Sequence, residues 1–254
     1  MKFAIVTGAS RGLGEEVAKL ALSTGYNLLT VARKPELNTV EEEAKRNQKE
    51  HFHFATDLSN PDKTASIGEK MAAELTGKDI DELLLVNNAG MVTPISPIGH
   101  MDSQQISAHV SLNITAPMIL LNEIKKTVTD IPLTVVNISS GAAERGTYGW
   151  SAYGSTKAAV NLYTQTAALE AKELNLDEVH VAFSPGIMDT EMQSEIRKTT
   201  KQAFKDVEKF QNFKSEGQLR SPKEVADLLF KLLKDRSSIR SGHIYRVYDL
   251  VDKE

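Results

Sequence analysis

The chain has 254 residues, with 30 Lys plus Arg against 34 Asp plus Glu, a formal charge of −4 at pH 7. This mildly acidic balance argues against nucleic acid as the main ligand, which calls for a basic surplus or stripe. An apolar share of 41% beside 25% charged residues is that of a soluble globular protein and excludes disordered, collagenous and membrane-spanning chains. Cysteine is absent, which removes disulfides, thiolate nucleophiles, iron–sulfur ligation and Cys-type zinc sites together.

The first apolar run, Phe3-Ala4-Ile5-Val6, is cut off by Thr7-Gly8 before it reaches the length of a signal-peptide core. No window holds the ~18 apolar residues of a spanning helix, so a cytoplasmic protein with no membrane partner is expected. Further runs lie at 28–31, 83–86, 133–138 and 179–183, most of them solidly apolar. Such runs predict strands buried on both faces of a parallel sheet. Helical stretches alternate with them, at 12–23, 34–49, 61–76, 104–129, 151–174 and 222–234, and repeated β-α units place helices on both faces. Asn60-Pro61 and Ser221-Pro222 mark two helix starts. No repeat, low-complexity tract or linker divides the chain, which predicts one domain over 1–254. The segment 188–217 is charged and dotted with Met192, Phe204, Phe210 and Phe213, and is expected to be a lid over the substrate site. His51 and His53 share one face of a strand without a third ligand of suitable spacing, so surface histidines and no metal are expected. The charged residues from Glu41 to Glu50 read as a solvated helix face.

Between the first strand and its helix stands Thr7-Gly8-Ala9-Ser10-Arg11-Gly12-Leu13-Gly14. Glycines there permit a tight turn and close backbone approach, and the helix N-terminus turns its free N–H groups toward a pyrophosphate. The order strand, turn, helix is the context that such a motif requires, and no G-x-x-x-x-G-K-[ST] loop occurs in the sequence. After the second strand comes Ala32-Arg33-Lys34, with no carboxylate for ribose hydroxyls. The Arg33 guanidinium suits a 2′-phosphate, with Arg11 as a second positive charge, which favours NADPH over NADH.

Tyr153 and Lys157 are four residues apart, on one helix face about 6 Å apart along the axis. A cation beside a phenol lowers a pKa that starts near ~10, and a tyrosine so tuned is expected to donate a proton to a developing alkoxide.

The G-x-x-x-G-x-G spacing resembles the short-chain dehydrogenase/reductase family, which opens with TGxxxGxG. The resemblance implies a doubly wound Rossmann-type α/β fold with about seven parallel strands. It also implies a nicotinamide cofactor on Gly8, Ser10, Arg11, Gly12, Leu13 and Gly14, with Asp57 and Leu58 at the adenine. Asn87-Asn88-Ala89-Gly90 matches the family NNAG motif, so Asn87, Ala89 and Gly90 would support the adenosine side. Pro185, Gly186, Ile187 and Thr190 resemble the family segment at the nicotinamide carboxamide. Ser140, thirteen positions before Tyr153, and Asn113 complete the family tetrad with Tyr153 and Lys157. In the implied mechanism, hydride passes from nicotinamide to a carbonyl carbon. Ser140 holds the carbonyl oxygen, Tyr153 is the general acid, Lys157 binds the ribose, and Asn113 orders a relay water.

Longer segments, including Gly149-Trp150-Ser151-Ala152-Tyr153 and Pro185-Gly186-Ile187-Met188-Asp189-Thr190-Glu191-Met192, are similar to bacillar benzil reductases, relatives of sepiapterin reductase. They imply a small-molecule substrate, an aromatic 1,2-diketone such as benzil, reduced to an α-hydroxy ketone. Trp150, the single tryptophan, is an aromatic wall or a packing residue; Met188 and Met192 offer soft substrate surface or ordinary lid packing. Pteridine side-chain reduction is the alternative, with Asp189 or Glu191 as a ring anchor. A non-catalytic NADPH sensor is a third reading, against which the tetrad stands. The resemblance further implies a homodimer or homotetramer assembled through the helices at 104–129 and 151–174.

Overall fold

The computed structural model describes residues 1–251. Its elements in chain order are β1 (Lys2–Thr7), α1 (Gly12–Ser23), β2 (Asn27–Ala32), α2 (Asn38–Arg46), β3 (His51–Ala55), α3 (Pro61–Leu75), β4 (Glu82–Asn87), α4 (Ser103–Val110), α5 (Ala116–Lys125) and β5 (Leu133–Ile138). Then come α6 (Ser151–Glu173), β6 (Glu178–Ser184), α7 (Glu191–Arg197), α8 (Val207–Ser215), α9 (Pro222–Leu233), β7 (Ile244–Arg246) and α10 (Val247–Val251). All seven strands pair in parallel, in the order β3-β2-β1-β4-β5-β6-β7. Chain order reverses between β1 and β4, and a doubly wound sheet opens its ligand crevice outside the carboxyl ends of the strands at that switch point.

The solid apolar runs follow from burial on both faces. Ala4 and Val6 of β1 pack with α1 and α9 through Val17, Ala21, Val225 and Leu229. Phe3 and Ile5 point the other way, onto α3 and α5 through Met71, Leu75, Leu120 and Ile124. Successive side chains of a strand face opposite ways, so two covered faces leave no solvent-facing position between and the runs do not alternate. Local signals end the helices as expected: the Asn60 side chain accepts from Lys63 N at the start of α3, and Ser221 and Glu224 form a capping box on α9.

Three expectations need correction. The helix expected over 104–129 is two helices joined by a π-helical turn, Ser111–Thr115. The stretch expected over 34–49 is helical only in α2. The histidines of the edge strand β3 are half-buried and not surface groups: His51 Nε2 and His53 Nδ1 lie 2.8 and 2.9 Å from the Thr30 hydroxyl of β2. Burial and the neighbouring His53 push the His51 pKa down to about 4, so His51 meets that hydroxyl as a neutral ring. Among the described residues no cluster of His, Asp or Glu is disposed to hold a metal ion, and no helix is long and apolar enough to cross a membrane.

Candidate active site

A cleft of about 1690 Å³ opens along the carboxyl ends of β1, β2, β4, β5 and β6 and under the segment 188–217. Its floor begins at the glycine turn. Gly8 has φ +69°, donates its N–H to Val31 O at 2.7 Å, and has no room for a side chain: a Cβ would lie 2.9 Å from the Ala89 Cα. Asn88 Nδ2 donates to the carbonyls of Thr7 and Gly8 at 2.9 and 3.2 Å, while the Thr7 hydroxyl accepts from the N–H groups of Asn88 and Ala89 at 3.0 Å each. The ends of β1 and β4 are thus stitched together, leaving Ser10, Arg11, Gly12 and Leu13 along the cleft.

Two residues expected at the cofactor stand back from the wall. Gly14 is buried inside α1, where a Cβ would lie 2.3 Å from both the Gly8 carbonyl oxygen and Asn88 Nδ2. It permits the close packing beneath the turn. Asn87, still on β4, turns into the sheet layer, where its Nδ2 donates to Asn137 Oδ1 at 2.8 Å. Because adjacent strand residues face opposite ways, it is Asn88 that reaches the turn. Asn88 and Thr7 are the site residues that motif reading missed; the repeated asparagine was their signal.

At the end of the cleft expected to take adenosine, Arg33 and Lys34 are exposed on the edge, with Asp57, Leu58, Ala89 and Gly90 along the wall. Burial raises the Asp57 pKa, but hydrogen bonds from the Ser59 N–H and hydroxyl, at 2.9 and 2.8 Å, and the charges of Arg33 and Lys63 bring it below the usual value. Arg11 is not a free charge beside Arg33: it pairs with Glu191, the first residue of α7. Pro185, Gly186, Ile187 and Thr190 line the far wall, Thr190 accepting from Gln193 N as the cap of α7.

The tetrad residues converge where the two halves of the cleft meet. The buried stripe Tyr153, Thr156, Lys157, Val160 and Thr164 turns one face of α6 to the sheet. Lys157 Nζ donates to Ile138 O at 2.7 Å and sits 5.9 Å from the centroid of the Tyr153 ring. Ser140, just past β5, accepts from Ala142 N at 3.2 Å, and its hydroxyl faces the Tyr153 phenol closely enough to lower that group's pKa. Its neighbour Ser139 instead donates to Asn161 Oδ1 at 2.6 Å. Asn113 lies in the π turn, its Oδ1 accepting from Met91 N and its Nδ2 donating to Met91 O, both at 2.9 Å. Single π turns recur at functional sites. Between Asn113 and Lys157 stands Gly90, where a Cβ would lie 3.3 Å from Asn113 Oδ1 and 3.6 Å from Lys157 Nζ.

The expected fall in the Tyr153 pKa is reversed. Burial raises it, and the Ser140 hydroxyl only partly opposes that. Burial likewise depresses Lys157, to about 8. Desolvation wins because the ammonium lies over the ring and spends a hydrogen on Ile138.

The other end of the cleft is aromatic. Trp150 meets Tyr153 edge-on at 5.3 Å, stacks on Phe204 at 4.7 Å and meets Phe210 edge-on at 5.4 Å. It is both wall and packing residue, since Val92, Ala142, Ile196 and Val207 join the same cluster. Met192 brings its sulfur 4.0 Å from the Tyr153 hydroxyl, whereas Met188 packs against the β1–α1 core at the edge of the cleft. Both carboxylates considered as pterin anchors have partners: Asp189 accepts from Lys214 at 2.5 Å, and Glu191 holds Arg11.

The short chain dehydrogenase family profile matches residues 2–201. The chain is 35% identical over 253 residues to a benzil reductase ((S)-benzoin forming) of Bacillus subtilis (strain 168), covering 99% of this chain and 100% of that one. It is 34% identical over 249 residues to the benzil reductase ((S)-benzoin forming) of Bacillus cereus, covering 97% and 99%. Among solved structures, the KRED1-Pglu enzyme superposes with a TM-score of 0.80 at 26% identity, over 96% of this chain and 100% of that one. A glycine turn at the switch point of a seven-stranded parallel sheet, a Ser-Tyr-Lys cluster at its carboxyl edge and these full-length matches agree: the chain belongs to the short-chain dehydrogenase/reductase family, oxidoreductases that use a nicotinamide cofactor.

Proposed function

We propose that this protein is an NADPH-dependent carbonyl reductase that converts an aromatic 1,2-diketone, such as benzil, to an α-hydroxy ketone. The observation that carries the reading is the contact between the catalytic phenol and the aromatic box: Tyr153 faces Ser140 on one side and meets Trp150 edge-on at 5.3 Å on the other. A flat arene seated against Trp150, Phe210 and Met192 would have its carbonyl beside the two hydroxyls. The relatives named as benzil reductases match over the full chain.

The cleft fits a dinucleotide. Gly8 and Gly12, at φ +69° and +59°, let the backbone turn tightly past the end of β4 and along the cleft wall, where the N-terminus of α1 would meet a pyrophosphate. Ser10, Arg11 and Leu13 would meet the phosphates; Asp57, Leu58, Ala89 and Gly90 the adenosine; Lys157 the second ribose; and Pro185, Gly186, Ile187 and Thr190 the carboxamide. Asn87 and Gly14 would act only through packing. The absence of a carboxylate after β2 and the exposed Arg33 and Lys34 favour a 2′-phosphate. When bound, the reduced nicotinamide supplies a hydride to the carbonyl carbon.

The chain's own residues handle the oxygen and the proton. Ser140 and Tyr153 donate hydrogen bonds to the carbonyl oxygen, where negative charge develops. Tyr153 releases its proton to that oxygen, completing the alcohol. A pKa raised by burial keeps the phenol loaded at neutral pH, which suits reduction. One lone pair of Asn113 Oδ1 remains for a water that returns the proton, and Gly90 keeps the gap toward Lys157 clear.

Exposed Val110 and Met118 on one long helical stretch, with Leu162 and Leu169 on the other, support a homodimer or homotetramer through those helices. The test of the reading is NADPH oxidation with a panel of aromatic diketones and sepiapterin. Turnover of the diketones that disappears in Tyr153→Phe is expected; turnover of sepiapterin alone would move the function to pteridines.

A further inference from the structure

His109 is wholly buried on α4, one helical turn before Asn113. Its Nδ1 lies 2.7 Å from the Thr93 carbonyl oxygen. Its Nε2 lies 2.9 Å from the Asn113 amide nitrogen and 3.0 Å from the Thr156 hydroxyl. A carbonyl only accepts, so Nδ1 carries a hydrogen. Met91 fixes the Asn113 amide independently, its N–H donating to Oδ1 and its carbonyl accepting from Nδ2. The second Nδ2 hydrogen has two acceptors in reach, Nε2 at 2.9 Å and the Thr156 hydroxyl oxygen at 3.3 Å, and the nearer contact makes Nε2 the bare acceptor. Two backbone segments thus define one state of the ring, neutral with the hydrogen on Nδ1. The Thr156 hydroxyl, also 3.1 Å from the Tyr153 carbonyl, can turn toward either acceptor and leaves that assignment intact.

We infer that His109 is a positioning residue for proton supply: its neutral ring holds the Asn113 amide and the π turn against the 91–93 loop and ties both, through Thr156, to the helix that carries Tyr153 and Lys157. Protonation at Nε2 sets N–H against N–H and takes that acceptor from the Asn113 amide, loosening the tie between the π turn and α6, so reduction falls on the acid side through a group that never touches the substrate. The inference rests on the reading of Asn113, Ser140, Tyr153 and Lys157 as the reducing site.

The groups that face the ring come from every element around it. Met91 and Thr93 belong to the loop after β4, and Asn113 to the π turn. From α6 come Thr156, Tyr153, met edge-on at 6.1 Å, and Lys157. Burial, with the Lys157 charge in support and the Thr93 hydrogen bond in opposition, takes the His109 pKa below its ordinary 6.5. The network therefore keeps its working form through neutral pH.

Two variants separate positioning from simple packing. In His109→Gln the side-chain carbonyl reaches toward the place of Nε2, accepts from Asn113 and does not titrate. His109→Leu fills the space without accepting. The ring state is read by ¹⁵N NMR of the full-length protein, His109 being identified by its loss in the glutamine variant, and NADPH affinity is followed by Trp150 fluorescence. Expected are an Nδ1–H tautomer, an acid limb of kcat/KM that coincides with the His109 titration, and near wild-type reduction in His109→Gln with that limb gone. In His109→Leu, kcat falls about tenfold or more at every pH, while NADPH affinity stays within about twofold. An Nε2–H tautomer, an unchanged acid limb in His109→Gln, or wild-type kcat in His109→Leu would overturn the assignment. Were no carbonyl in the panel reduced by the wild type, the reducing reading would fail; the NMR tautomer and the response of the Asn113 amide signals to the His109 titration would still decide the positioning.

Discussion

The Lys157 ammonium lies 5.9 Å from the centroid of the Tyr153 ring and donates to the Ile138 carbonyl at 2.7 Å, so the lysine stands under the phenol without bonding its oxygen. Both groups are buried and both pay in solvation. The phenol is held in its protonated form, and the lysine is poised near neutrality at about 8. This pairing sets the pH behaviour. Reduction is expected to persist into alkaline solution as far as proton donation is concerned, because a raised Tyr153 pKa keeps the acid loaded. NADPH affinity is expected to weaken as pH rises through about 8, where Lys157 loses its charge. A pH series of Kd and kcat measured separately checks this: KM for NADPH should rise on the alkaline side before kcat falls.

A depressed lysine also has a consequence for stability. The folded state binds the Lys157 proton less tightly than the unfolded chain, whose value is 10.5 against about 8 when folded. Below both values this burial destabilises, and the penalty is relieved as pH rises from about 8 toward 10.5. Lys157→Met is therefore expected to be inactive yet more stable at pH 7, by up to ~3 kcal/mol before loss of the Ile138 hydrogen bond. Its advantage should vanish near pH 10.5. Urea titrations at the two pH values check it.

Cofactor choice is tested at the end of β2. Arg33→Asp supplies the carboxylate that the sequence lacks there and removes the guanidinium. Loss of one charge-assisted bidentate contact, ~1.5–3 kcal/mol, predicts a KM for NADPH raised by about 10–100-fold, with NADH becoming the better substrate. Equal use of NADPH by variant and wild type would show that the 2′-phosphate is not held at Arg33.

The aromatic chain from Tyr153 through Trp150 to Phe204 and Phe210 couples the active site to the segment above it. Phe204 is fully buried, and Phe204→Ala should cost ~3–5 kcal/mol of stability. The shallower Phe210→Ala should leave the fold intact and raise KM for an aromatic diketone about tenfold, with KM for NADPH unchanged. Because Trp150 is the single tryptophan, its fluorescence should respond to the diketone in the wild type and less in Phe210→Ala.

Much of this architecture was readable in the sequence because burial on both faces writes itself as unbroken apolar runs: β5 falls on 133–138 as expected, and α1 on 12–23. The edge strands were harder. β3 carries His51 and His53 because one side is only half-covered, and β7 is too short, at Ile244–Arg246, to make a run. The π turn at Ser111–Thr115 was invisible, since one extra residue per turn leaves the apolar spacing on either side intact. Tyr153 and Lys157 were legible through their helical spacing and the glycine turn through its place between strand and helix, whereas Ser140 and Asn113 were named through the family resemblance. The division of labour between Asn87 and Asn88 depended on where β4 ends, and the fall expected for the Tyr153 pKa depended on a desolvation that charge counting does not register. His109 left only its position, one turn ahead of Asn113.

The central claim, that a loaded Tyr153 beside an aromatic box reduces diketones with NADPH, is most directly tested by NADPH absorbance with benzil, 1-phenyl-1,2-propanedione and sepiapterin, wild type against Tyr153→Phe. The account predicts oxidation of NADPH with both diketones, faster than with sepiapterin and faster than NADH, and a loss of ~10²–10⁴-fold in the variant with NADPH affinity retained. No oxidation with either diketone despite tight NADPH binding, or undiminished oxidation in Tyr153→Phe, would contradict it.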